Sequence, residues 1–294
     1  MITPPAACAE RFPNVRECAN ILGVPADSLD LERALLRLGE WFYRRQKGYV
    51  CAVTVNGVLE AKRNRRVAKA FADATMVIPD GRPMVWVGRM QGCQAIRQVT
   101  GPDLMAAIIG GKEFAGASHF FYGGKPGVAQ DLAAAWIYQV PGTRIAGTFT
   151  PPFRDLNREE EAELVKKLNA LRPDFIWIGI SAPRQEMLMR RLVPQLHHGI
   201  LLGVGAAFDF DTDRIRDCAP WIKRIGFQWL HRLLQDPRRL WRRNLLNATF
   251  LWHIALQLTG LKKYRLDVGH KCEPERTTVH PASATSGSSV AGSA

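Results

Sequence analysis

No C-x-x-C pair, no H-x-x-x-H and no His/Cys cluster occurs in this 294-residue chain, although it holds six cysteines and seven histidines. Cys8, Cys18, Cys51, Cys93, Cys218 and Cys272 are scattered. That argues against a zinc finger or dithiol redox motif, and in a chain this long it reads as reduced cytosolic thiols. His197 and His198 precede Gly199 at an expected helix end, where they suit the helix dipole. The opening MITPPAACAERFP lacks the basic-then-apolar run of a signal peptide. No stretch reaches about 18 consecutive apolar residues, so no spanning helix is predicted. Leu245 to Leu261 comes nearest and is interrupted by Asn247, His253 and Gln257. An early G-x-G-x-x-G is also missing. The late GVGAAFD, residues 203–209, has Phe208 in place of the third small residue, which argues against a NAD site.

Acidic residues are scarce too. There are 27 Asp and Glu against 40 Lys and Arg, giving a net charge of +13. Such an excess favours an anionic partner. Much of it is local: residues 218–243 hold seven Lys or Arg, the single acid Asp236, and Trp221, Trp229 and Trp241. With 47% hydrophobic residues the chain can build a real core. We divide it into an N-terminal extension (1–19), a catalytic core (20–217), a basic, aromatic helical appendage (218–268) and a Ser/Ala/Thr/Gly-rich tail (269–294) expected to be disordered.

What is present is an alternation of short apolar runs and longer helical patterns. The expected strands are Val50–Thr54, Met76–Pro79, His119–Tyr122, Arg144–Gly147, Phe175–Ile180 and Ile200–Gly203. Between them lie expected helices at Gly57–Ala72, Asp103–Gly110, Gly127–Tyr138, Arg158–Leu171 and Arg184–Val193. This order predicts an α/β fold, a Rossmann-like parallel sheet with helices on both faces. Ligands of such sheets bind beyond the carboxyl ends of the strands. The residues there are Thr54-Val55-Asn56-Gly57, Pro79-Asp80-Gly81, Gly123-Gly124-Lys125, Ser181 to Glu186, and Gly205 to Asp209.

Each exit admits two readings. Asp80, between Pro79 and Gly81, suits a general base at the sheet rim, and equally an Asp satisfying its own turn. GGKPG, residues 123–127, suits an anion cradle at a helix N-terminus, and equally a plain strand-to-helix turn. It is not a Walker loop, which is longer and ends in Lys-Ser/Thr. Asp209, Asp211 and Asp213 resemble a D-x-D metal motif. A calcium loop fails on Arg214 and Pro220, where Gly and Glu belong. Asp236-Pro237 reads as an N-cap followed by proline at the first helical position, opening a helix to about Leu261. Arg239 and Arg242 share a face of that helix, with Arg232 upstream; arginines grip diphosphate oxygens in bidentate fashion. Trp252 and the apolar residues around it suit a membrane interface, or simply packing on the core.

Taken in order, TVN (54–56), VIPDG (77–81), GPDL (101–104), YGGKP (122–126), PDFIWIGISAPRQE (173–186), GVGAAFD (203–209) and APWIKRIGFQWLHRLLQDPRR (219–239) resemble the WecG/TagA/CpsF glycosyltransferase family. The resemblance covers roughly Asn20 to Arg243. It implies an inverting, metal-independent transferase that moves a sugar from a UDP-sugar to a polyprenyl-diphosphate-linked saccharide at the inner face of the cytoplasmic membrane. It further implies Asp80 as catalytic base with Thr54 beside it. Asn56, Gly123, Gly124, Lys125, Gln185, Glu186, Gly205 and Asp209 would serve the donor, and Arg232, Arg239 and Arg242 the acceptor diphosphate. Gln228 stands where many relatives carry Glu, so this chain lacks that carboxylate. No cofactor or nucleic acid is expected, and a homo-oligomer is compatible. The alternatives are a nucleotide-sugar epimerase or oxidoreductase, and a nucleic-acid-binding protein using residues 218–243.

Overall fold

The structure is a computed structural model and describes residues 17–205, 208 and 237–266. Its centre is a six-stranded parallel sheet. The strands are β3 (Gly48–Val53), β4 (Met76–Pro79), β5 (Ser118–Gly123), β6 (Arg144–Phe149), β7 (Phe175–Gly179) and β8 (Ile200–Gly203), in the spatial order β4-β3-β8-β7-β5-β6. The expected strands are these, displaced by at most two residues at their ends. The expected parallel α/β architecture is therefore the observed one.

Among the described residues, a hairpin and a helix precede the sheet. β1 (Cys18–Ile21) and β2 (Val24–Asp27) pair as an antiparallel hairpin, and α1 spans Leu31–Tyr43. Leu22 and Gly23 make the turn with φ of 53° and 91°, the left-handed pair that a two-residue hairpin demands. The Asn20 side chain accepts from the Gly23 N–H at 2.8 Å and holds it. Asp27 then accepts from the Val77 N–H at 2.6 Å, tying β2 to β4 at one rim of the sheet.

Among the described residues, eight helices follow α1. They are α2 (Val55–Arg63), α3 (Arg65–Ala72), α4 (Arg82–Met90), α5 (Gly101–Ile109), α6 (Val128–Gln139), α7 (Arg158–Leu171), α8 (Arg184–Leu192) and the last, α9 (Pro237–Leu258). The single helix expected over Gly57–Ala72 is two. Asn64 sits in extended backbone (φ −125°, ψ 107°), and its side chain accepts from the Arg66 N–H, capping α3. A residue that ends one helix and caps the next needs no proline or glycine, so periodicity alone runs across it.

Period-two alternation assigns the two faces. Cys51, Val53, Val77, Phe120, Ile176, Ile178 and Leu201 point into one core layer with α2, α3, α7 and α8. Val50, Met76, Ile78, Phe121, Phe175, Trp177 and Leu202 point into the other, with α1, α5 and α6. α9 returns to the first layer. Its Phe250 and Ile254 are buried there, and Gln257 bridges to the hairpin, accepting from the Leu22 N–H and donating to the Asn20 carbonyl. The part of α9 with Phe250, Ile254 and Gln257 thus packs on the core.

One expectation about the cysteines is corrected. Cys51 and Cys93 are buried thiols, but Cys18 is disulfide-bonded. Sequence spacing cannot disclose such a bridge, because it depends on which thiols the fold brings together.

Candidate active site

Because all six strands run the same way, their exits line one edge. Asp80 leaves β4 and Thr54 leaves the adjacent β3. The Asp80 N–H donates to the Val53 carbonyl at 3.0 Å, so sheet pairing continues one residue past β4 and holds Asp80 beside Thr54. Thr54 is the N-cap of α2, its hydroxyl accepting from the Gly57 N–H at 3.3 Å. Asn56 lies in that first turn and is partly exposed, as are Thr54 and Asp80. Gly81, with φ of 131°, turns the chain sharply after Asp80 into α4, a backbone region that favours glycine.

The next two exits are cross-linked. Gln185 and Glu186 open α8 after β7, and both are buried. The Gln185 carboxamide oxygen accepts from the Gly205 N–H beyond β8 at 3.1 Å. Its nitrogen donates to Glu186 Oε1 at 2.9 Å. Burial pushes the Glu186 carboxyl above the usual carboxylate range, against the Gln185 hydrogen bond. Its other oxygen, Oε2, is buried with no hydrogen-bond partner among the described residues.

Gly123 and Gly124 end β5, and the Gly124 N–H donates to the Gly179 carbonyl at 3.1 Å, joining this exit to that of β7. Gly123 has φ of 137°, and a Cβ there would lie 2.3 Å from the Gly179 oxygen, so no other residue fits. Lys125 is exposed. The structure therefore brings Thr54, Asp80, Gln185, Glu186 and Gly205 to the exits of four neighbouring strands. Gly123 to Lys125 lie four strand spacings from Asp80, about 19 Å. Arg239 and Arg242 lie on α9; Asp209 and Arg232 fall outside the described residues.

Another segment, residues 99–104, also reaches these exits. The GPDL segment opens α5, and Gly101 packs so closely on Val204 that a Cβ would meet its Cα at 3.0 Å. The Val99 N–H donates to the Pro79 carbonyl. Thr100 caps α5 and donates to Asp103 at 2.6 Å. The N-terminus of α5 thus sits over the β4 and β8 exits. The signal was available: Thr-Gly-Pro-Asp is a cap followed by proline inside the first turn.

A groove of about 590 Å³ lies over the far edge, lined by Phe149, Pro152, Leu156 and Lys167 among others. Two of its charged residues are engaged, Glu160 with Arg154 at 2.7 Å and Lys167 over the rings of Phe120 and Phe149. Asp80 is on the opposite rim strand, so the groove is not its pocket.

A parallel α/β sheet whose exits gather a rim carboxylate, helix N-termini and backbone N–H groups has the chemistry to hold an anionic ligand beside a carboxylate. Residues 19–264 match the model of the glycosyl transferase WecG/TagA/CpsF family, and the chain belongs to that family. It is a glycosyltransferase of cell-envelope polysaccharide synthesis, which implies in general terms a nucleotide-sugar donor and a lipid-linked acceptor. Among the described residues no helix is long and apolar enough to cross a membrane.

Proposed function

We propose that this glycosyltransferase transfers a hexose-type sugar from a UDP-sugar to a polyprenyl-diphosphate-linked saccharide, with inversion and with Asp80 as general base. The placement of Asp80 carries the reading: sheet pairing fixes it beside Thr54 at the partly exposed rim. In a single displacement the acceptor hydroxyl oxygen bonds to the anomeric carbon while the bond to the diphosphate oxygen breaks. The bonding pair leaves with UDP, and the hydroxyl proton passes to the Asp80 carboxylate. One base suffices, because no covalent sugar–enzyme intermediate forms. Charge growing on the leaving diphosphate is met by backbone N–H groups at helix starts and glycine turns. Asn56, Gly123, Gly124, Lys125 and Gly205 stand on this donor side, with Asp209 assigned there by family resemblance. Arg232, Arg239 and Arg242 are proposed to hold the acceptor diphosphate.

The membrane face of the cytoplasm is the proposed place of work, in surface or exported polysaccharide synthesis. Support comes from the outward side of α9 and the residues after it. Leu251, Trp252, Leu258 and Leu261 are exposed there, close to Lys262, Lys263 and Arg265. Cationic residues beside exposed tryptophan and leucine suit an anionic lipid surface.

The reading is tested by transfer from UDP-sugars to a synthetic prenyl-diphosphate sugar, run with and without EDTA. Asp80→Asn should lower turnover by roughly 10²- to 10⁴-fold with folding intact. Near-normal turnover in a folded Asp80→Asn protein would refute the assigned base.

A further inference from the structure

Gln185 is positioned by three constraints. It is 3% exposed. A Cβ at Gly203 would lie 3.2 Å from its amide nitrogen, so the strand passes directly against it. Both ends of its carboxamide are engaged, the nitrogen with Glu186 Oε1 and the oxygen with the Gly205 N–H. An amide can be turned over end for end, and the two orientations differ only in which end meets which partner. The Gly205 N–H can only donate, so it requires the oxygen. The nitrogen then needs an acceptor on its other side, and the Glu186 carboxyl supplies it.

We propose that Glu186 is a positioning residue of this site: its buried carboxyl orients the Gln185 amide, and through it holds the Gly205 backbone against the exit of β7. The bracket Glu186–Gln185–Gly205 spans the gap between β7 and β8 at the edge where the donor is proposed to bind. Gly205 has φ of 57° and is partly exposed. Without the bracket, its turn has one fewer restraint where the chain leaves the sheet for Phe208. An acid retained in its neutral form here leaves one unpartnered O–H, whereas the ionised form would leave a buried charge, the costlier state. A glutamine at 186 would also present an oxygen to the Gln185 nitrogen, so the bracket depends on an acceptor and not on a charge.

The proposal separates from the transferase reading, on which only its kinetic consequence rests. Amide hydrogen exchange at Gly205, followed in the full chain, needs no substrate. Glu186→Ala should raise the Gly205 exchange rate about tenfold, the loss expected for one hydrogen bond's restraint. Glu186→Gln should restore the parent rate. Gln185→Met, which breaks the same bracket at similar volume, should match Glu186→Ala and decides the matter if the alanine variant does not fold. With a UDP-sugar as probe, Glu186→Ala should raise KM several-fold with kcat changed less, and Glu186→Gln should rescue it. Parent-like Gly205 protection in the folded Glu186→Ala or Gln185→Met protein would overturn the proposal. So would a Glu186→Gln protein that exchanges as fast as Glu186→Ala. If exchange behaves as expected but no UDP-sugar is turned over by the parent, the bracket stands and the transferase reading fails.

Discussion

His119 offers a quantitative check on the core, at the end of the sheet away from Asp80. It is 2% exposed, and its Nδ1 is 3.3 Å from the Trp177 Nε1. An indole N–H only donates, so Nδ1 must be the unprotonated acceptor. Protonation would both charge a buried ring and take away Trp177's acceptor. Burial accordingly pulls the His119 pKa down to about 4, with the nearby Asp174 carboxylate pulling the other way. The unfolded chain takes up this proton near the ordinary histidine value and the native protein only near 4. The stabilisation is therefore complete above about 6.5 and is lost as pH falls toward 4. Two and a half units correspond to about 3 kcal/mol. Glu186 has its pKa raised, so it contributes with opposite sign, its stabilisation being lost as pH rises. Glu160 and Asp174 are lowered to about 2 and act below this window. Urea unfolding of the parent and His119→Phe at pH 4.5 to 7 cancels what the two share. The difference between them should shrink by about 1.4 kcal/mol per unit over the titrating range. Turnover of His119→Phe at pH 7 should be unchanged. Parallel curves for the two proteins would refute the neutral-histidine argument.

Two further outcomes are expected. Gly123→Ala should cost roughly 3–5 kcal/mol in urea unfolding, through the positive φ and the clash with the Gly179 carbonyl. Gly142→Ala, at φ of 92° with open space around it, should cost only about 1–2 kcal/mol, and equal losses would contradict the clash. Replacing exposed Leu251 and Trp252 together by Ser should reduce flotation with anionic vesicles while leaving unfolding temperature unchanged. Equal flotation of parent and variant would remove this face from the membrane proposal.

The sheet was legible because strands buried on both faces read as short apolar runs between helical patterns. Its exits were legible because Asp, Gly and Pro cluster where parallel strands end. The hairpin at 18–27 was not, since Leu22-Gly23 lacks the Asn-Gly or Asp-Gly that announces such turns and its restraint comes from Asn20 and Gln257. The Asn64 break was hidden for the same kind of reason, a side chain acting as a cap inside an unbroken periodicity. Within the site, sequence placed Asp80 and Thr54 at strand exits, and only the family resemblance set them side by side. It gave no hint that Gln185 and Glu186 are buried and paired, because the carboxamide's other partner, Gly205, lies beyond a different strand. Gly123 and Lys125 were grouped with Asp80 by their position after a strand. Only the spatial order β4-β3-β8-β7-β5 reveals four spacings between them.

Two buried carboxyls show how the parallel sheet divides its labour. Asp174, where β7 begins, accepts from the Ser118 N–H and hydroxyl at 2.8 Å, from His198 at 2.9 Å and from Arg45 at 3.1 Å. Burial opposes its ionisation, but these donors outweigh it and hold the pKa down to about 2. Each donor comes from a different segment, so the charge ties the starts of β5, β7 and β8 to the end of α1. A carboxylate saturated in this way has no capacity left for a ligand. Glu186, just beyond the other end of β7, receives one side-chain hydrogen bond and leaves Oε2 without a partner. Burial prevails there and the carboxyl is driven toward neutrality. The same strand thus begins at a satisfied anion and ends at an unsatisfied acid. The proposed chemistry falls at the second end, where polar groups are positioned but not fully consumed by the fold.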